Sequence, residues 1–201
     1  MAERKRRANG EESRRRILAA AVEVATERGY DGTSIAAVSQ KSGLPASSIY
    51  WHFANKEALF EAVLEDRFEV WMRSVTAPEG SSEMQAAMML ASGTADAFHE
   101  APEFLRLGFM LVLERRPTEL SARKRFLDLR DIGRQRLADF AVQLAPAADP
   151  AAVDRLLSYA IAAADGMFLA KQMDPGLDLN ELFDLHAQLM IDALMRLGEA
   201  R

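Results

Sequence analysis

Ser47, Ser48 and Trp51 fall on one side of a short amphipathic segment, and Ala46, Ile49 and Phe53 fall on the other. Small hydroxyl groups beside a large ring suit recognition by contact. Ser47 can donate or accept a hydrogen bond, the short side chains admit a close-lying partner, and Trp51 offers a flat apolar face. The alternative is a surface helix that binds nothing, for which a solvent-exposed tryptophan would be unusual. Chemistry of other kinds has little material. There is no cysteine, which excludes disulfides, thiolate metal sites and thiol catalysis. The three histidines, His52, His99 and His186, have no metal-ligand spacing. No nucleophile–base pair, metal cluster or phosphate-cradling glycine loop is evident, which argues against an enzyme and predicts neither metal nor cofactor.

Charge is unevenly distributed. The 201-residue chain carries a net −5, yet residues 1–56 hold 10 Lys/Arg against 6 Asp/Glu, a net +4, and the remainder a net −9. Arg4, Lys5, Arg6, Arg7, Arg14, Arg15 and Arg16 supply most of the excess, so a polyanion would meet the first quarter of the chain. The alternative is a solvated basic tail. With 49% hydrophobic and 27% charged residues the chain is of ordinary globular composition. It has neither an apolar run of about 18 residues nor an apolar core behind the basic start, so no membrane span or secretory signal is expected and a cytoplasmic location is.

The elements that must position the Ser47 face are helical. Strand-like alternation is absent, helical spacing recurs between breakers, and about nine helices in an all-α fold are predicted. The first is expected over about Ser13–Arg28, capped by Ser13 and ended by Gly29. A short second helix starts behind Thr33 or Ser34 and ends near Lys41. Ser42-Gly43 makes a turn, and a third helix spans Pro45 to Phe53, with proline in its first turn. Asn55 caps a long fourth helix that runs to a break at Pro78-Glu79-Gly80. Five more are expected over roughly Ser82–Glu100, Pro102–Arg115, Thr118–Leu144, Pro150–Lys171 and Leu179–Leu197. Residues 1–57 then form a three-helix head and arm, and residues 58–201 a larger body coupled to it through the shared fourth helix.

Two short helices joined by a glycine turn match a helix-turn-helix, whose second helix enters the major groove of DNA. The residues Gly29-Tyr30-Asp31-Gly32-Thr33-Ser34-Ile35, then Ser42-Gly43-Leu44-Pro45, then Ser48-Ile49-Tyr50-Trp51-His52-Phe53-Ala54-Asn55-Lys56-Glu57-Ala58-Leu59 resemble the DNA-binding domain of the tetracycline-repressor (TetR) family over about residues 13–60. Later residues are similar only in helix count and length and in Asp165-Gly166-Met167-Phe168. The resemblance implies a homodimer on a near-palindromic operator in double-stranded DNA, most often a repressor released by a small molecule. It puts phosphate contacts on Ser34, Tyr50, His52 and Lys56 and base reading on Ala46, Ser47, Ser48 and Trp51. Ala36 and Ala46 stand where relatives often carry longer polar side chains, which thins direct base readout. Lys56 is otherwise a solvated lysine, and His52 a histidine packed within the head.

In the body, the eighth helix is apolar almost all round and must be buried on two sides. With the ninth it is expected to form a four-helix bundle across a two-fold axis through Leu157, Ala160, Ile161, Ala164, Phe168, Leu189 and Leu194. The alternative buries both helices within one chain. Trp71, Met88, Met89, Phe98, Phe109, Met110, Phe126 and Tyr159 are candidates to line a pocket for an apolar or amphipathic effector, unless they are ordinary core. Rival readings are a regulator whose body binds no small molecule, and a lipid carrier or enzyme that keeps a similar head.

Overall fold

The computed structural model describes residues 2–75, 83–114 and 120–199, and only the backbone of residues 2–8, 83 and 87. The expected break at Pro78-Glu79-Gly80, the helix ends at Ser82, Arg115 and Thr118, and the side chains of Arg4, Lys5, Arg6 and Arg7 lie outside the described residues. Within these, nine helices and no strand are present: α1 (Ala2–Gly32), α2 (Ile35–Ser42), α3 (Ala46–His52), α4 (Lys56–Ser74), α5 (Glu83–Glu100), α6 (Glu103–Leu113), α7 (Ser121–Leu144), α8 (Pro150–Met173) and α9 (Leu179–Glu199). None of them is long and apolar enough to cross a membrane.

The first helix departs from expectation at its start. Ser13 does not cap it; its hydroxyl donates to the Asn9 carbonyl one turn back, at 2.9 Å, inside a helix that begins at Ala2. Alanine, arginine, lysine and glutamate dominate residues 2–16, and their helix propensity carries the helix upstream despite Gly10. At the other end Gly29 takes φ 70° and breaks the regular winding. Thr33, almost fully buried, closes the break by donating its hydroxyl to the Gly29 carbonyl at 2.7 Å.

The chain packs as two compact units, Met1–Glu69 with Pro102–Leu129, and Val70–Ala101 with Arg130–Arg201. This differs from a division near residue 57, because α6 and the start of α7 join the head. Ile17, Leu18, Ala21 and Val24 of α1, Val38 of α2, Ile49 and Phe53 of α3, and Leu59, Phe60, Val63 and Leu64 of α4 are buried in the first unit. Phe104, Leu107 and Leu111 of α6 and Phe126 of α7 are buried there as well. Phe126 lies on the bare backbone of Gly108, where a Cβ would run into the ring.

In the second unit α5 packs along α9 and α9 along α8. Phe98 meets Phe168 and Phe183 edge-on at 5.3 and 5.2 Å, in the geometry that aligns ring edge with ring face. A second cluster joins Ala141, Ala145, Val153 and Leu194, with Leu157 packed against it. Asp149 caps α8 by accepting from the Ala151 and Ala152 amides. Arg130 grips Asp165 through two bonds of 2.9 and 2.7 Å, and Arg134 pairs with Asp154, so two ion pairs tie α7 to α8.

These contacts correct the expected dimer face. Phe168 and Leu194 are buried within a single chain, and Leu157, Ala160, Ile161 and Ala164 are half-buried, leaving Leu189 as the exposed member of that set. Nor is α8 covered on two sides. Tyr159, Ala162, Gly166, Leu169 and Met173 are exposed on it, and a Cβ on Gly166 would meet nothing within 4 Å. On α9, Leu185, Leu189 and Met195 are exposed in the same way.

Candidate nucleic-acid interface

The turn between α2 and α3 is built from local polar contacts. Ser34 caps α2, its Oγ accepting from the Ala37 amide at 3.1 Å. Gly43 ends α2 in the left-handed region (φ 66°), which a residue without Cβ enters at no cost. Ser39 Oγ then donates to the Leu44 carbonyl at 2.7 Å, and Arg16 donates across from α1 to the Ser42 carbonyl at 2.7 Å. Pro45 sits just before α3 as its N-cap, one position earlier than expected, where no helical N–H is lost.

This turn aims α3 outward. Ile49 (0% exposed) and Phe53 (5%) anchor it beneath, while Trp51 (75%) and Tyr50 (56%) project. Ser47 is exposed, Ser48 and Ala46 partly so. The trio Ser47, Ser48 and Trp51 is therefore open to a partner. Trp51 also has a support: its indole meets the His52 ring edge-on at 4.5 Å, and a Cβ on Gly10 would lie 3.8 Å from it. The upstream extension of α1 thus passes beside the tryptophan.

Around this face the phosphate-contact candidates are held in distinct ways. Ser34 is exposed, with its hydroxyl proton still available beyond the cap. His52 is half-buried, and desolvation first, then the nearby Arg14 charge, push its pKa below the ordinary 6.5. It is neutral near pH 7 and offers an N–H as donor. Lys56 opens α4, with Nζ 4.1 Å from the Tyr30 ring centroid and 3.5 Å from the Asp31 carbonyl. That contact holds the ammonium at the positive end of the helix dipole, where one phosphate can meet both.

The basic run is less uniform than the sequence suggests. Arg15 pairs with Glu12 at 2.6 Å, Arg16 caps the α2 carbonyl, and Arg14 lies 5.8 Å from the centroid of the Phe53 ring. Lys41 bonds to Glu23 and Glu27, which raise its pKa. Arg16 and Glu57, whose carboxylate takes two bonds from Ser121, are positioning residues that sequence reasoning missed. Each acts on a partner far along the chain, and no local spacing signals that.

The effector candidates are divided between the two units. Phe109, Met110 and Phe126 belong to the first unit; Trp71, Met88, Met89, Phe98 and Tyr159 belong to the second. Phe98 and Phe126 are locked in aromatic clusters, and Tyr159 (62% exposed) faces outward on α8. Met88 and Met89 line an open groove with Met84 and Gln85. No group of acidic or histidine side chains suited to a metal exists among the described residues.

Residues 17–63 match the family model of bacterial regulatory proteins, tetR family (TetR_N). This likeness to the tetR family is one of the head, from within α1 to within α4. Among curated relatives, the HTH-type transcriptional regulator SrpR of Pseudomonas putida is 38% identical over 64 residues, 32% of this chain and 30% of that protein. The regulator TtgR, also of Pseudomonas putida, is 28% identical over 97 residues, 48% of this chain and 46% of the other. The matches span less than half the length of these relatives. Solved structures extend the likeness in fold to most of the chain. The fatty acid degradation regulator FadR of Bacillus halodurans superposes with TM-score 0.73 at 15% identity, covering 89% of this chain and 94% of that one. FadR of Bacillus subtilis, solved with stearoyl-CoA, gives 0.69 at 19% identity over 89% and 97%.

Proposed function

We propose that this chain is a dimeric transcription regulator that binds a near-palindromic operator through α3 and is released from it by a small apolar or amphipathic molecule. The observation that carries the reading is the outward projection of Ser47, Ser48 and Trp51 over buried Ile49 and Phe53, behind a left-handed glycine turn. In a major groove, Ser47 bonds base edges and Trp51 packs on a thymine methyl or along the sugar-phosphate ridge. Ser34, Tyr50, His52 and Lys56 fix the register on phosphates, and the half-buried Ala46 lies against the groove floor.

Dimerisation uses the exposed stripe of α8 and α9, centred on Tyr159, Leu169, Leu185, Leu189 and Met195, with Ala162 and Gly166 allowing close approach. Two-fold symmetry sets two copies of α3 roughly 34–36 Å apart, on successive major-groove faces. The effector acts on the second unit, which carries Trp71, Met88 and Met89, the two methionines lining an open groove; the stearoyl-CoA bound by the Bacillus subtilis regulator is a ligand of an amphipathic class. Effector and DNA then weaken one another to the same degree.

Selection of bound fragments from a random duplex pool tests this reading and supplies the operator. On the selected duplex, Lys56→Ala weakens binding to all sequences alike and lowers the salt slope by about 1, whereas Ser47→Ala relaxes discrimination at one position per half-site by roughly 1–3 kcal/mol. Quantitative gel shifts showing the reverse would exchange the two roles.

A further inference from the structure

Among the described residues, no side chain next to the start of α7 in the chain is seen to cap it. Leu120 occupies the N-cap position, its carbonyl accepting from the Lys124 amide at 3.2 Å, and a leucine has nothing to offer the helix's first amides. Glu57, from the first turn of α4, supplies the missing acceptor. Its Oε2 takes the Ser121 backbone N–H at 2.9 Å and the Ser121 hydroxyl at 2.7 Å. Two donors on one carboxylate hold its pKa below the ordinary range, so the bond is charge-assisted at neutral pH.

A second tie lies two turns along α4, where Glu65 accepts from Arg125 Nε at 2.7 Å within an ion pair whose Nη2 is also 2.7 Å from the carboxylate. The next residue, Phe126, is seated on Gly108 and 5.2 Å from Phe104. The first turns of α7 are thus attached to α4 by polar straps and to α6 by an aromatic plug. Glu57 is also the immediate neighbour of Lys56, which opens α4 beside Tyr30. One carboxylate therefore stands between the lysine assigned to a phosphate and a helix that continues unbroken to Leu144.

We propose that Glu57 is a positioning residue that ties the N-terminus of α7 to the first turn of α4, so that the placement of Lys56 on DNA and the ordering of α7 depend on each other. This rests on the DNA-binding reading above. Seating Lys56 on a phosphate fixes the first turn of α4, and through Glu57 it steadies the α7 amides, which touch no DNA. By linkage, whatever loosens α7 must weaken the duplex.

The test is amide hydrogen exchange in residues 121–129 of the full chain, free and bound to the selected duplex. In the wild type, duplex binding slows exchange there about fivefold, the low end of ordinary coupling between sites. Glu57→Ala still binds the duplex, but binding no longer changes exchange in this segment; Ser121→Ala, which keeps the backbone bond, shows a reduced change. A merely structural Glu57 would raise exchange in free and bound protein alike and leave the fivefold difference intact. An undiminished duplex effect in Glu57→Ala, or none in a wild type that is bound, overturns the proposal. A wild type that binds no duplex overturns the DNA-binding reading itself, and this inference falls with it.

Discussion

A chain carrying Leu185→Glu and Leu189→Glu together sediments as a single copy and loses about 10²–10⁴ in affinity for the selected duplex. Both leucines are about half exposed in the isolated chain and lie one turn apart on α9. Tyr159 and Leu169 of α8 and Met195 of α9 are further large apolar side chains left exposed on this pair of packed helices. Two glutamates per chain put four carboxylates into the two-fold interface, where each must lose hydration without a cation to pair with. The DNA effect follows because each head meets one half-site, and separating the heads removes the effective concentration that the second contact enjoys. Since neither leucine belongs to the interior, far-UV circular dichroism stays unchanged. Sedimentation of the double variant as a dimer would show that the chains associate elsewhere.

Gly93→Ala lowers the melting temperature by roughly 4–10 °C, from about 2–3 kcal/mol of strain in a chain of this length. A Cβ at Gly93 would run into the Ser74 carbonyl oxygen and lie 3.0 Å from its carbon and 3.3 Å from Val75 Cα. All three are backbone, so no rotamer change relieves the clash; α5 must move off the last turn of α4. Gly10→Ala is the control. Its Cβ makes an ordinary 3.8 Å contact with Trp51, and the substitution raises helix propensity in α1 by about 0.5–1 kcal/mol. Thermal unfolding of the two variants therefore moves in opposite directions, and an unchanged melting temperature in Gly93→Ala would contradict the packing described for α4 and α5.

The parts of the molecule that are legible in the sequence are those whose structure is settled within a few residues. Ser34 as a cap, Gly43 as a left-handed stop and Asn55, whose Oδ1 takes the Ala58 amide at 2.9 Å, mark the head without reference to anything distant. The inward Ile49 and Phe53 and outward Ser47 and Trp51 follow from helical geometry once those limits are set. Distant partners are not legible. Arg16 reads as one more basic residue until the Ser42 carbonyl is placed beside it, and Glu57 as a helix-surface acid until Ser121 is. On α8, a helix apolar on nearly every side gives no sign of which residues its own chain covers, and so Phe168 reads as part of the dimer face although it is buried against Phe98 within one chain. The union of residues 102–129 with the head is hidden for a similar reason: a boundary drawn along the chain cannot express a unit made of two separate stretches.

The reading depends most on α3 and its flanking cations meeting a phosphate backbone, and the salt dependence of duplex affinity tests that directly. Titrated with the selected duplex at increasing salt, a dimer that neutralises some 6–10 phosphates loses about 10³–10⁵ in affinity between roughly 50 and 200 mM. Affinity that stays constant over that range would contradict it.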